Sequence, residues 1–176
     1  MQKIIGLGIA VLFSGFVLNS CDPWEDETYH EGDILEEEIQ LPGTWKLHSL
    51  LLGESYDFNG DGEVHSDLML ETGCYQNELL TFNPDFTGLV ISNSYADISG
   101  EEGNYEVECI EETEEDSFIW VQTANTVAIT LNGDVLNAVL ENNTLTFVIP
   151  EGFSASDWQG NMTLLQDITF IYKKVQ

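Results

Sequence analysis

Hydrophobic and polar residues alternate with a period of two along much of the chain beyond residue 42. The alternation is clear in residues 79–83, 127–131, 145–149 and 168–173, which are rich in β-branched and aromatic side chains. A period of two places successive side chains on opposite faces of a β-strand, whereas an amphipathic helix repeats about every 3.6 residues. No stretch beyond residue 42 has a convincing helical stripe. The pattern therefore predicts an all-β domain.

Short polar segments that contain turn-forming residues separate these strands. They are Asn83-Pro84-Asp85, Ser99-Gly100, Asn132-Gly133-Asp134 and Glu141-Asn142-Asn143. Gly and Asn accept the positive φ values that tight turns need, and Pro fixes the φ of a turn residue. We count eight or nine strands, at the spacing of an antiparallel sandwich or barrel. About 135 residues, from 42 to 176, are enough for one independently folding domain.

The first twenty residues have the pattern of an export signal. Lys3 precedes an uncharged apolar run from Ile4 to Leu18, which is shorter than the about 20 residues that a membrane span needs. The run ends at Leu18-Asn19-Ser20-Cys21, which resembles the bacterial lipobox. That resemblance implies cleavage before Cys21 and lipid attachment to its thiol. The alternative is an ordinary signal peptide in which Cys21 is incidental.

Acidic residues dominate the charge of the chain. It has 32 Asp and Glu against 4 Lys and Arg, for a formal net charge of −28. We expect no nucleic-acid partner, because phosphate contacts need clustered basic residues. Residues 21–41 carry many acids and no base, so we expect them to repel one another and form a flexible tether. The predicted organisation is a lipoprotein signal peptide at 1–20, an acidic tether at 21–41 and a β domain at 42–176.

Three motifs in the β domain resemble those of lipocalin-like lipoproteins of Bacteroidetes. They are Gly43-Thr44-Trp45-Lys46-Leu47 at the first strand, Cys74 followed by Leu79 to Gly88, and the closing segment Ile168 to Val175. The resemblance implies an antiparallel β-barrel of about eight strands in which Trp45 packs at one end. It also implies a small apolar ligand in the lumen. An acidic segment after a lipidated Cys21 resembles the surface-export signals of the same bacteria, so we expect an anchor at the outer membrane, with the cell surface as one destination.

The segment from Asp57 to Glu63 matches the start of a calcium loop. Oxygen-bearing side chains occupy its first, third and fifth positions, and Gly62 occupies the sixth, where the chain bends sharply. Position twelve is Leu68, so the segment is not a complete EF-hand. The expected calcium ligands are Asp57, Asn59, Asp61, Glu63 and Asp67, with Glu71 as a spare. The alternative is a polar turn in a very acidic chain.

Cys74 and Cys109 are the two remaining cysteines. In an oxidising compartment they would form a disulfide, and the alternative is two buried free thiols. The three histidines, His30, His48 and His65, have no spacing that suits a metal centre or a Cys-His pair. We therefore expect no catalytic residues and no enzyme activity.

Two functions are compatible with these features of the sequence. The first is binding of a small apolar ligand in the lumen, with a calcium ion stabilising the Asp57 loop. The alternative is a barrel filled by its own side chains that acts as a structural or interaction module. In that case the acidic surface, including residues 101–116, would meet a protein partner in the envelope. Large inward side chains would favour the filled module, and a lined cavity would favour the binder.

Overall fold

The computed structural model describes residues 41–101 and 103–175. The predicted signal peptide, the lipidation site Cys21 and the tether up to residue 40 lie outside the described residues. Eleven strands and one short helix occupy the described part. Within that part, no helix has the length and apolar character needed to cross a membrane.

Eight of the strands form a closed antiparallel barrel, which confirms the predicted fold class. They are β1 (Gly43–Tyr56), β3 (Leu79–Phe82), β4 (Thr87–Ser92), β7 (Glu114–Thr123), β8 (Thr126–Leu131), β9 (Asp134–Glu141), β10 (Thr144–Ser156) and β11 (Met162–Lys174). Each barrel strand pairs with the next barrel strand along the chain, and β11 pairs back with β1 to close the cylinder. Closure leaves these strands without a free edge.

The turn chemistry of the sequence explains two of the barrel hairpins. Asn132 and Gly133 have φ values of 52° and 97° between β8 and β9, and Asn142 and Asn143 have 48° and 60° between β9 and β10. Two successive residues with positive φ match the twist of the flanking strands. These two predicted turns are therefore found where the sequence places them.

Three further strands and a helix lie outside the barrel path. The strands are β2 (His65–Asp67), which pairs with β1, and the hairpin of β5 (Tyr95–Glu101) and β6 (Asn104–Ile110). The prediction of a turn at Ser99-Gly100 is wrong, because both residues lie inside β5. Gly100 is needed there for close packing, since a Cβ atom would lie 2.4 Å from the carbonyl oxygen of Asn104 on β6.

The helix α1 (Leu68–Thr72) connects β2 to the barrel. Asp67 caps its N-terminus by accepting the N–H of Met69, and Gly73 ends it with a φ of 68°. A disulfide joins Cys74, just beyond the helix, to Cys109 on β6, with Cα atoms 5.6 Å apart. This bond agrees with the predicted disulfide, and it ties the β5–β6 hairpin to the segment that follows α1.

An aromatic cluster fills one end of the barrel. Trp45 is fully buried, donates its indole N–H to the carbonyl oxygen of Leu41 at 2.9 Å, and has the Nζ of Lys174 5.6 Å from its ring centroid. Phe82 meets Trp45 edge-on at 6.5 Å and Trp120 at 5.8 Å between ring centroids. Such edge-to-face contacts add to the free energy of burial. The cluster fills only part of the lumen.

Candidate ligand cavity and candidate calcium loop

A cavity of about 270 Å³ occupies the lumen of the barrel. All eight barrel strands contribute to its wall, through Leu47, Leu80, Val90, Phe118, Ile129, Leu136, Phe147 and Phe170 in chain order. The alternation of the sequence explains this wall, because every second residue of a barrel strand faces inward. The volume lies just below the about 300–1,000 Å³ of typical ligand pockets, so it suits a small molecule.

Aromatic rings form one side of the cavity. The ring of Phe147 on β10 stacks on Phe170 of β11 with centroids 4.9 Å apart and planes 12° apart. It also stacks on Tyr172 at 5.9 Å and 15°. These three rings form an apolar, polarisable part of the wall that can contact an apolar chain or a ring.

One carboxylate lies at the wall of this apolar cavity. Glu78 precedes β3 and its side chain is only 6% exposed. Its Oε1 accepts the backbone N–H groups of Asn93 at 2.9 Å and Ser94 at 3.1 Å, which join β4 to β5. These two hydrogen bonds offset part of the cost of burying the charge. Glu78 therefore holds a fixed position beside the lumen.

Two tyrosines accompany Glu78 at the cavity wall. The hydroxyl oxygen of Tyr75 accepts the N–H of Ala96 at 3.1 Å, so its own proton remains available to another acceptor. Burial raises the pKa of Tyr75, and the charge of Glu78 raises it further. Burial and the same charge also raise the pKa of Tyr172. Both hydroxyls therefore stay neutral at physiological pH, and they add polar groups to a mostly apolar site.

The predicted calcium loop is a compact, self-bonded turn. Asp57 accepts the N–H of Asp61 at 3.1 Å through Oδ1 and that of Gly62 at 3.0 Å through Oδ2. Asn59 accepts the N–H of Asp61 at 2.9 Å and donates its amide to the Asp61 carboxylate at 3.0 Å. Asp57, Asn59 and Asp61 are therefore brought together, and the loop is exposed except at Asp57, which is half-buried, and Phe58, which is buried.

The other two predicted ligands face different partners. Glu63 has an exposed side chain whose Oε2 lies 3.7 Å from Nε2 of His65. Asp67 has a structural role, because its Oδ1 accepts the backbone N–H of Leu50 at 3.1 Å and also that of Met69. Among the described residues, no three His, Cys, Asp or Glu side chains converge in a way that would hold a metal ion.

Glu71, the spare ligand that the sequence predicts, lies under the loop. It is 1% exposed, and its Oε2 accepts the N–H of Phe58 at 2.9 Å. Its Oε1 is buried and has no hydrogen-bond partner in the described part of the chain. Leaving a buried carboxylate oxygen unpaired costs stability.

Glu78 and Tyr75 belong to no motif that the sequence displays. Both lie in the connection between α1 and β3, and they reach the lumen because the chain turns there at Tyr75, whose φ is 64°. Glu78 is one of 32 acids, so no pattern in the sequence separates it from the solvated ones. The nearby Cys74, which the disulfide fixes in place, is the one sequence signal close to both residues.

No protein-family model, curated protein or solved structure matches the chain. The resemblance to lipocalin-like lipoproteins therefore stays a prediction from three short motifs. The function is therefore inferred from the residues of the cavity and of the loop.

Proposed function

We propose that the domain binds one small apolar ligand in the lumen of the barrel. The main support for this proposal is the cavity of about 270 Å³ whose wall comes from all eight barrel strands. Removing apolar surface from water contributes roughly 25 cal/mol per Å², and a preformed cavity avoids the cost of ordering flexible groups. A mostly apolar molecule of modest size is the ligand that such a wall accommodates best.

The cavity favours this function over a filled interaction module. Eight strands enclose a space that side chains alone can fill. Here the cluster of Trp45, Phe82 and Trp120 packs one end, while the residues around Phe147 leave space unfilled. A barrel that served only as a scaffold would have no use for this space, which lowers packing stability.

Calorimetric titration of the full chain with n-octanol tests the proposal. We expect saturable binding with one ligand per chain. Val90→Phe fills the lumen and should abolish binding, whereas Val121→Phe, at an exposed position of β7, should preserve it. Equal binding by both variants would show that n-octanol binds outside the lumen, and the proposal would be wrong.

We also propose that calcium stabilises the Asp57 loop. Two observations favour it: Asp57, Asn59 and Asp61 already lie together, and the buried Oε1 of Glu71 lacks a partner among the described residues beside the same loop. Calcium takes six to eight oxygen ligands, including carboxylates and backbone carbonyls, so water would complete the set. Asp67 is the least suitable of the five predicted ligands, because it already caps α1.

We propose that the protein works from a lipid anchor in the bacterial envelope. The support is the sequence of residues 1–21 alone: a short apolar signal followed by Leu18-Asn19-Ser20-Cys21. Cells fed radioactive palmitate should label the unaltered chain and fail to label Cys21→Ser. Labelling of Cys21→Ser would contradict the anchor without affecting the proposal for the lumen.

A further inference from the structure

The lumen combines an apolar wall with a negative charge at one place. Glu78 lines the cavity, and both of its side-chain hydrogen bonds end on Oε1. Its Oε2 accepts no hydrogen bond from any residue that the structure describes. The buried carboxylate therefore has one oxygen left for a donor that this part of the chain does not supply.

Two acidic residues of β7 pair with residues of β4 that line the cavity. Val90 and Ser92 of β4 line the cavity, and they pair directly with Asp116 and Glu114 of β7. Residues directly opposite in an antiparallel pair share one face of the sheet, so both acids lie on the same face as the cavity wall. Both side chains are exposed and neither lines the cavity, so they add negative charge to the surface of the barrel outside it.

Among the described residues, no lysine lies at the cavity to balance the charge of Glu78. The described lysines are Lys46, Lys173 and Lys174, and none of them lines the lumen. Lys173 contacts His48 through Nζ at 2.8 Å, and Lys174 lies over the Trp45 ring at the other end. A ligand carboxylate beside Glu78 would be repelled, whereas a ligand ammonium would find an acceptor.

The aromatic wall suits the same kind of ligand. The rings of Phe147, Phe170 and Tyr172 lie on one side of the cavity, whose wall also includes Glu78 and Tyr75. These rings offer apolar surface to the body of a ligand, and Glu78 offers an acceptor to a positively charged group. The wall and the carboxylate together therefore favour a cation that carries an apolar body.

Building on the proposed function, we infer that the lumen selects a small apolar amine in its protonated form, with its ammonium group at Glu78. The ammonium donates to Oε2 of Glu78, and the alkyl or aryl part lies along the wall formed by Phe147 and Phe170. Fatty-acid anions, which an apolar lumen alone would accept, are rejected.

Three ligands with the same eight-carbon chain, n-octylamine, n-octanol and n-octanoate, differ only in the charge and chemistry of the head group. Comparing their affinities therefore distinguishes the effect of charge from that of apolar contact. In calorimetric titration of the unaltered full chain, n-octylamine should bind at least about tenfold more tightly than n-octanol. A hydrogen bond to a charged group contributes enough free energy for a difference of that size. We expect n-octanoate to bind most weakly. This ranking needs no variant, so it tests the inference even where a substitution disturbs folding.

Glu78→Gln removes the charge but keeps an oxygen for the N–H groups of Asn93 and Ser94. It should reduce the preference for n-octylamine over n-octanol by about tenfold. Glu115→Gln makes the same change of net charge at an exposed position of β7 and should keep the preference. Val90→Phe should block all three ligands, which separates lumen binding from attraction of amines to the acidic surface.

The two proposals fail in different ways. If n-octanol and n-octanoate bind in the lumen as tightly as n-octylamine, the amine preference is wrong and the lumen proposal survives. The same conclusion holds if Glu78→Gln and Glu115→Gln keep equal preferences for the amine. If none of the three ligands binds, or if all still bind to Val90→Phe, the lumen proposal itself is overturned.

Discussion

Phe147 and Phe170 stack face to face across the β10–β11 pair, with ring centroids 4.9 Å apart and planes 12° apart. Because the two residues are directly opposite in the register, the strands hold their rings in contact without help from a loop. Both residues border the cavity. The stack is therefore both a part of the core and a wall of the proposed binding site.

Truncation of this wall should be costly. We expect Phe147→Ala to lower the free energy of unfolding by about 3 kcal/mol. This value is at the lower end of the range for truncating a buried Phe, because the ring already borders a cavity. The neighbouring Val148 is exposed on the outer face, so Val148→Ala should change stability by less than about 0.5 kcal/mol. Urea unfolding measures both. Equal effects of the two substitutions would contradict the assignment of inner and outer faces.

The barrel can be predicted from the sequence because its strands obey a simple rule. Residues such as Leu145 and Phe147 face a closed lumen, while Val148 and its outward neighbours face solvent, and this difference produces the period of two. The Asn132-Gly133 turn can be predicted for a similarly local reason, since few other residues accept positive φ at both positions.

The features that the sequence does not predict depend on contacts between distant residues or on very short elements. Glycine is typical of turns, so the sequence predicts a turn at Gly100. In the structure a glycine is needed there because the backbone of Tyr105 is close, with its Cα 3.1 Å from where a Cβ would lie. The helix α1 escapes prediction, because five residues are too few to show a helical stripe. Glu78 cannot be predicted as a site residue, since only the folded chain brings it to the lumen.

The disulfide should contribute measurably to stability. Cys74 and Cys109 are 35 residues apart, and closing a loop of that size limits the freedom of the unfolded chain. We expect the double variant Cys74→Ser/Cys109→Ser to lose about 4 kcal/mol at most in urea unfolding. Cys21→Ser removes the other cysteine and should leave the stability unchanged. Free thiols at both positions in the purified chain, found by mass spectrometry, would contradict the pairing.

Chelation tests the calcium proposal. At free calcium about 100 times its dissociation constant, the ion would add about 2.7 kcal/mol of stability, so EDTA should lower the melting temperature by several degrees. Asp61→Asn should remove this response. Asp97→Asn, at an exposed position of β5, should keep it. A melting temperature that does not change on chelation, together with no calcium in the purified protein, would reject the site.

Alkaline pH should destabilise the barrel through Tyr172. Burial, followed by the charge of Glu78, raises the pKa of Tyr172 above that of tyrosine in the unfolded chain. The neutral hydroxyl therefore contributes stability that is fully present below about pH 10 and is lost as the pH rises further. We expect the free energy of unfolding to fall above about pH 10, and to fall less steeply in Tyr172→Phe. Burial also raises the pKa of Tyr56 to about 12, so part of the slope should remain in the variant. Identical slopes for the variant and the unaltered chain would contradict this origin.

Bromooctane soaked into a crystal of the protein would show directly whether the lumen holds an apolar ligand, because anomalous scattering locates the bromine atom without ambiguity. We predict one bromine peak inside the barrel, within contact distance of the wall that Phe118, Phe147 and Phe170 form. A lumen that holds only water, with bromine found solely on the outer surface, would contradict the proposal that this barrel is a binder of small apolar ligands.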